Sequence, residues 1–267
     1  MEIEFKNVVT SKNLPKLNFS ISRDEITVLS GDKTKEIIPN LLMGFDSVRA
    51  GEIIYLNKKI TKETFDFKYI QFETGYVFLN PSDFLTNKTV KQEILFGLNF
   101  YNFNKINERM NYYLNVVGLD NSYLNKKSLE LNLNNQKKVM LASVLAIEPK
   151  VLLLNCIEHG LNKKEQKDLK KLLLKIKKEN NITIIIISNN TNFYFDIVDR
   201  VIVFKENKII LDGDSSVFYK KETDKYLDIP PIIDFISMSN SKKIKLAKTN
   251  DINELMKDIY RKANEKC

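Results

Sequence analysis

The residues best placed to do chemistry in this 267-residue chain fall in VLLLNCIEHGLN, residues 151–162. Cys156 precedes His159, the chain's single histidine, by three residues, and Asn155 and Glu158 lie beside them. A thiol needs a neighbouring base to become a nucleophile, and His159 is the one imidazole available. That chemistry also requires a group to orient the base and a turn to hold an oxyanion, and the flanking residues offer neither. Two side chains fall short of the roughly four ligands of a structural zinc site. The plainer expectation is that Cys156 is a small buried side chain.

The elements that position this stretch are readable. Val151 to Leu154 form an apolar run of the kind buried on both faces of a parallel sheet. A polar turn follows, then KKEQKDLKKLLLKIKKE, with Leu169, Leu172, Leu173 and Ile176 at helical spacing. Strand, turn and helix in that order place a site at the carboxyl end of a parallel strand. EITVL at 25–29 and ITIIIIS at 182–188 read as further buried strands. VDRVIVF and KIILDG add two more around a turn at Glu206-Asn207. Ile3 and Phe5, then Leu17, Phe19 and Ile21, alternate with polar residues, so residues 1–28 read as strands, and Gly51 opens EIIYL. GYVFL at 75–79 is a short strand stopped by Asn80-Pro81.

Helices are expected over IIPNLLMGF with Pro39 in the first turn, and from Thr89-Val90 to Phe96-Gly97. Two more run over 106–117 with Gly118 as the stop, and over 134–149. Residues 214–267 are sparser. Pro230-Pro231 marks a break, and Ile252, Leu255, Met256, Ile259 and Tyr260 form a last amphipathic helix. The sum is an antiparallel β portion, an α/β core, a helical insertion and a C-terminal extension.

Composition bounds the function classes. The chain is 43% apolar, enough for one large domain with an appendage. Its two cysteines, Cys156 and Cys267, make no disulfide framework and point to a reducing compartment. MEIEFKNV lacks a signal pattern and ITIIIIS is too short to span a bilayer, so a cytoplasmic location is expected. A net charge of +8 raises contact with anionic lipid or nucleic acid. The lysines are spread along the sequence, however, which favours an ordinary solvated surface. No arginine-rich helix, zinc-finger spacing or aromatic RNA-binding signature is present, so no nucleic acid partner is expected.

The order of these pieces resembles the ATP-binding subunit of an ABC transporter, and most of all the ATPases of energy-coupling factor (ECF) importers. The resemblance covers nearly the whole chain. It rests on FKNV at 5–8, GYVFLNP at 75–81, TVKQEILFGLN at 89–99, VVGL at 116–119, QKKVMLASVLAIEPKVLLL at 136–154 and DRVIVFKENKIILDG at 199–213. IPPIIDF and the later TNDINELM look like the tail of ECF ATPases. It implies an α/β, ABC-type P-loop ATPase fold: a parallel-sheet RecA-like core, an antiparallel β subdomain and a helical subdomain, with a C-terminal extension. Residues 1–215 would be the ATPase-like domain, with its helical subdomain at about 82–135, and 216–267 a dimerisation element. The family builds two nucleotide sites at a dimer interface, each from one subunit's phosphate loop and the other's signature loop.

Carried over residue by residue, the chemistry is altered. The phosphate loop falls on LSGDKTKEI at 29–37, with Lys35 on the lysine that reaches the terminal phosphates and Leu29, Asp32 and Thr34 where the family has glycine. Asp32 and Glu36 bring charge toward an anionic ligand, on the order of 1 kcal/mol or more per pair. Glu36 stands where a hydroxyl would ligate Mg²⁺. Leu79 takes the place of the glutamine that contacts metal and water. The signature loop reads NLNNQ at 132–136, in which Gln136 is kept, Leu133 replaces the serine, and Asn134 and Asn135 replace the glycines. Asn155 replaces the metal-holding Asp, Cys156 the general base, Asn162 the terminal Asp of the turn, and Asn189 the histidine that contacts the γ-phosphate.

The resulting expectation is a hydrolysis-incompetent subunit of an ECF-type importer, with no intact catalytic group and no metal ligand set. ATP and Mg²⁺ are the implied cofactors; Lys35, Asp32, Thr34, Glu36 and Gln136 would be vestigial contacts to them. The partners would be an intact ATPase paralogue or a second copy, and a transmembrane component docked through 79–125, on the inner face of the cell membrane. The alternatives are a divergent active ATPase using Lys35, Glu36 and Glu158, and a soluble regulatory scaffold without a membrane partner.

Overall fold

The apolar runs pair into a six-stranded sheet, with a smaller sheet and two sets of helices packed on it. The computed structural model describes residues 2–10, 16–61, 64, 67–242, 244–249 and 251–264; Cys267 lies outside them. The chain runs β1 (Ile3–Val9), β2 (Leu17–Ile21), β3 (Ile26–Gly31), α1 (Ile37–Leu42), β4 (Ala50–Tyr55), β5 (Lys58–Ile60), α2 (Phe67–Glu73) and β6 (Thr74–Val77). It continues through α3 (Val90–Phe100), α4 (Ile106–Val116), α5 (Leu133–Leu145), β7 (Val151–Asn155), α6 (Lys163–Asn180) and β8 (Thr183–Ile187). α7 (Thr191–Tyr194), β9 (Arg200–Lys205), β10 (Lys208–Asp214), α8 (Pro231–Ser241) and α9 (Ile252–Asn264) complete it.

The large sheet has the order β10-β9-β3-β8-β7-β6, parallel except for β10, and the small one is the antiparallel β2-β1-β4-β5. Successive residues of one strand point to opposite faces, and both faces of the large sheet are covered. Leu152, Leu154, Ile184 and Ile186 pack under the residues of α3 to α6, while Val151, Leu153 and Ile185 pack against α1 and the small sheet. That two-sided burial is why these strands are unbroken apolar runs.

Helix starts are set by side-chain caps. Thr89 and Gln92 form a reciprocal capping box on α3, and Asn162 and Glu165 do the same on α6. Asn132 caps α5 by accepting from Asn135 N–H at 2.9 Å. The short strand expected at 75–79 runs over Thr74–Val77, and the Phe78 ring just beyond it packs on Tyr76 and Phe84. Three helices were not expected, one of them the four-residue α7. α2 carries no clear period, and α8 begins at Pro231, where proline sits in the first turn rather than breaking the chain. α8 and α9 share a small core of Ile236, Leu246 and Leu255. No helix among the described residues is long and apolar enough to cross a membrane.

Candidate functional site

The turn after β3 is the first half of the site. Gly31 takes φ +106°, and its N–H donates to Asn189 Oδ1 at 3.0 Å. A Cβ there would lie 1.9 Å from the carbonyl oxygen of Phe204 on β9, so the position takes glycine. Asp32 then caps a 3-10 turn, Lys33–Glu36. Its carboxylate accepts from Thr34 N–H at 2.9 Å and from Glu206 N–H at 2.6 Å. The Thr34 hydroxyl accepts from Asn207 N–H at 3.1 Å and donates to Asn207 Oδ1 at 3.2 Å. The hairpin turn expected at Glu206-Asn207 is therefore also a wall of the loop. Lys35 is buried, and its ammonium bends back onto the carbonyls of Gly31 and Asp32 at 2.8 and 3.2 Å. Glu36 is exposed.

Partial burial alone would raise the Asp32 carboxyl, but hydrogen bonds from Thr34 and Glu206 and the charge of Lys35 hold it below the usual carboxylate value. A carboxyl held down in this way adds stability above the unfolded-state value of about 4. That increment disappears as pH falls through the lower folded-state value. Asp32→Asn should lose about 1 kcal/mol or less at neutral pH, since the group is exposed, and should flatten the acid limb of the stability curve. Urea denaturation between pH 7 and pH 2 measures both.

The second half lies at the ends of β7 and β8. Asn155 Nδ2 donates to the Tyr76 hydroxyl at 3.1 Å. Cys156 takes φ +45°, and its thiol donates to the Ile187 carbonyl at 3.3 Å. Burial pushes the thiol up from its usual value, Glu158 adds to the rise, and Lys35 and Lys137 oppose it. Among the described residues no hydrogen bond joins the Cys156 and His159 side chains, so the thiol has no base. Glu158 is buried and accepts from the Ser188 hydroxyl at 2.5 Å and the Tyr194 hydroxyl at 2.6 Å. Burial drives the Tyr194 phenol far above its usual value, and the Glu158 charge adds to this. Lys137, buried as well, donates to the carbonyls of Ile157 and His159 at 2.9 and 2.5 Å. Burial holds its ammonium below the usual lysine value, with Glu158 and Cys156 opposing.

The structure thus gathers Asp32, Thr34, Lys35, Asn155, Cys156 and Asn189 at the carboxyl ends of neighbouring strands. Gln136 stands apart at the start of α5, where its amide donates to the carbonyls of Leu129 and Leu131 at 2.8 and 3.0 Å. Leu133 packs over Gly160, which sits at φ +75°. Leu79 is exposed beyond β6. Sequence reasoning missed Tyr76, Lys137, Ser188 and Tyr194. The one available signal was Lys137, a charge just ahead of the inward-facing VMLAS run.

It also missed a groove. Phe72, Tyr76, Phe78, Phe84, Phe96 and Phe100 line a cavity of about 330 Å³ between β6, α3 and the end of α5. Phe96 and Phe100 are 62% and 69% exposed. Glu93 is buried in its wall and takes both the N–H and the side-chain amide of Asn87. Burial raises its carboxyl, against the pull of Asn87.

The ABC transporter family pattern matches residues 14–155. The energy-coupling factor transporter ATP-binding protein EcfA2 of Clostridium tetani is 31% identical over 218 residues, covering 79% of this chain and 76% of that protein. EcfA1 of Staphylococcus aureus is 29% identical over 230 residues, covering 81% and 83%. The solved structure of cbiO1 from Clostridium perfringens, part of the ABC transporter complex cbiONQ, matches with a TM-score of 0.76 and 27% identity, covering 84% of this chain and 93% of that one. Fold, strand-end architecture and relatives agree, and the chain belongs to the ABC transporter family, as an ATP-binding subunit of the energy-coupling factor type.

Proposed function

We propose that this chain is a non-hydrolysing ATP-binding-cassette subunit of an ECF-type importer, pairing with an intact ATPase and docking the membrane component without turning over ATP itself. One observation carries the reading: the Asp32 carboxylate already occupies the loop amides of Thr34 and Glu206, at 2.9 and 2.6 Å. ATP with Mg²⁺ is the ligand of the family, and the residues here do not fit it. An internal anion sits at the loop, and Lys35 is engaged by carbonyls. Asn155 supplies no charge to a metal, and Cys156 is a protonated, half-buried donor where a base should stand. Each such loss typically lowers a rate about 10²-fold or more. The alternative using Glu158 as a replacement acid is disfavoured by the bonds that Ser188 and Tyr194 make to it.

The aromatic groove supports docking, since a row of half-exposed rings suits an inserted helix from a membrane component. That contact would hold the chain at the inner face of the cell membrane. Residues 1–215 form the cassette, with a helical subdomain at about 82–135. The extension at 216–267 serves dimerisation, with an intact paralogue or a second copy. Exposed Ile252, Met256 and Tyr260 along one side of α9 support that role. No nucleic acid is involved.

The test is phosphate release and fluorescent-ATP binding with Mg²⁺, by the chain alone and beside an intact ATPase. The expected result is no turnover by the isolated chain and a dissociation constant above about 1 mM. Turnover that vanishes in Lys35→Ala would overturn the proposal.

A further inference from the structure

The solvent face of α6 is a lysine stripe. At about 100° per residue, Lys163, Lys164, Lys167, Lys171, Lys175 and Lys178 fall within about 120° of the helix circumference, and all six are exposed. The opposite face buries Leu169, Leu173 and Ile176. Just outside the stripe, Lys170 and Lys177 are paired with Asp196 and Asp199 at 2.6 Å each. Within it, among the described residues, only Lys175 has an acid in range, Glu179 at 3.9 Å. Like charges four residues apart destabilise a helix, and Lys163, Lys167, Lys171 and Lys175 make three such pairs in succession. The capping box of Asn162 and Glu165 works against that loss.

The stripe runs about 22 Å and borders a cavity of about 360 Å³ between the end of α4, the start of α5 and α6. Val116, Leu141 and Leu172 give it an apolar floor; Lys138, Lys171 and Lys175 stand on its rim, as do Glu165 and Asp168.

We propose that this face binds an acidic, amphipathic polypeptide segment, with its carboxylates on the lysines and its apolar side in the cavity. The charge sign selects an acidic partner. The concave apolar floor cannot be filled by a flat lipid surface. The stripe carries neither arginine to fork onto phosphates nor aromatic rings to stack bases, which disfavours nucleic acid. Its length exceeds a small ligand. The inference is independent of whether the phosphate loop binds nucleotide.

Fluorescence anisotropy of the full chain with a labelled amphipathic helical peptide of Glu and Leu tests it. Saturable one-to-one binding is expected, weakening as salt screens the lysines. Lys167→Glu, Lys171→Glu and Lys175→Glu together should weaken it about tenfold or more, with circular dichroism unchanged, because all three are surface residues. Leu172→Gln should weaken it about threefold without changing charge. Equal binding of a scrambled peptide of the same composition overturns the proposal. So does tighter binding of poly(dT) or of phosphatidylglycerol vesicles at the same salt, or undiminished affinity in the lysine variant.

Discussion

Glu158→Ala lowers the stability of the chain by about 2–5 kcal/mol, because it removes a buried carboxylate that two buried hydroxyls share. Two hydroxyls lose their partner at once, and a nearby ammonium loses a compensating charge. The Ser188 and Tyr194 hydroxyls no longer have the carboxylate that accepts from them at 2.5 and 2.6 Å. The buried Lys137 ammonium keeps its two carbonyls but loses the negative charge that offsets its desolvation. A buried hydroxyl left without a partner costs about 1–3 kcal/mol. Glu158→Gln preserves shape and one acceptor, so it should cost less than half as much. Urea denaturation gives the values, and a double-mutant cycle with Lys137→Met gives the coupling. A loss below about 1 kcal/mol in Glu158→Ala would show that the cluster is solvated and not a buried network.

Gly31→Ala is the second large effect, about 2–5 kcal/mol. A φ of +106° is strained for any residue with a Cβ, by about 1–2 kcal/mol. The new methyl would also meet the Phe204 carbonyl oxygen at 1.9 Å, which forces β3 away from β9, and overpacking of this kind costs about 1–3 kcal/mol. The displacement should break the Gly31–Asn189 bond and open the loop around Asp32. Thermal unfolding should fall by well over 5 °C, with amide exchange fastest at Thr34 and Glu206. An alanine variant as stable as the parent would mean that the loop relaxes freely.

The scaffold was legible where local signals agree. Apolar runs buried on both faces mark β3, β7 and β8, and leucines at helical spacing mark α6, whereas the capping roles of Thr89 and Asn162 emerged only in the structure. α8 was misread because Pro230-Pro231 looks like a stop, while proline in a first turn starts a helix. At the site, the replaced residue types at 32, 155, 156 and 189 were readable one by one. The role of Asp32 was not, because one of the amides it caps, Glu206, lies 174 residues away in sequence. Glu158 likewise looked like a spare acid until Tyr194 and Ser188 met it across long separations. The lysines within 163–178 read as part of a dispersed set, because only the helical period of α6 brings six of them to one side.

β3 sits in the middle of the large sheet, hydrogen-bonded to β8 on one side and β9 on the other. During ribosomal synthesis it is made before both of its neighbours, which are encoded after Asn180. At about 5–20 residues per second the nascent chain carries this apolar strand without its edges for on the order of ten seconds. The central strand is thus made long before either of its neighbours, and the sheet can close around it only once β8 and β9 have followed.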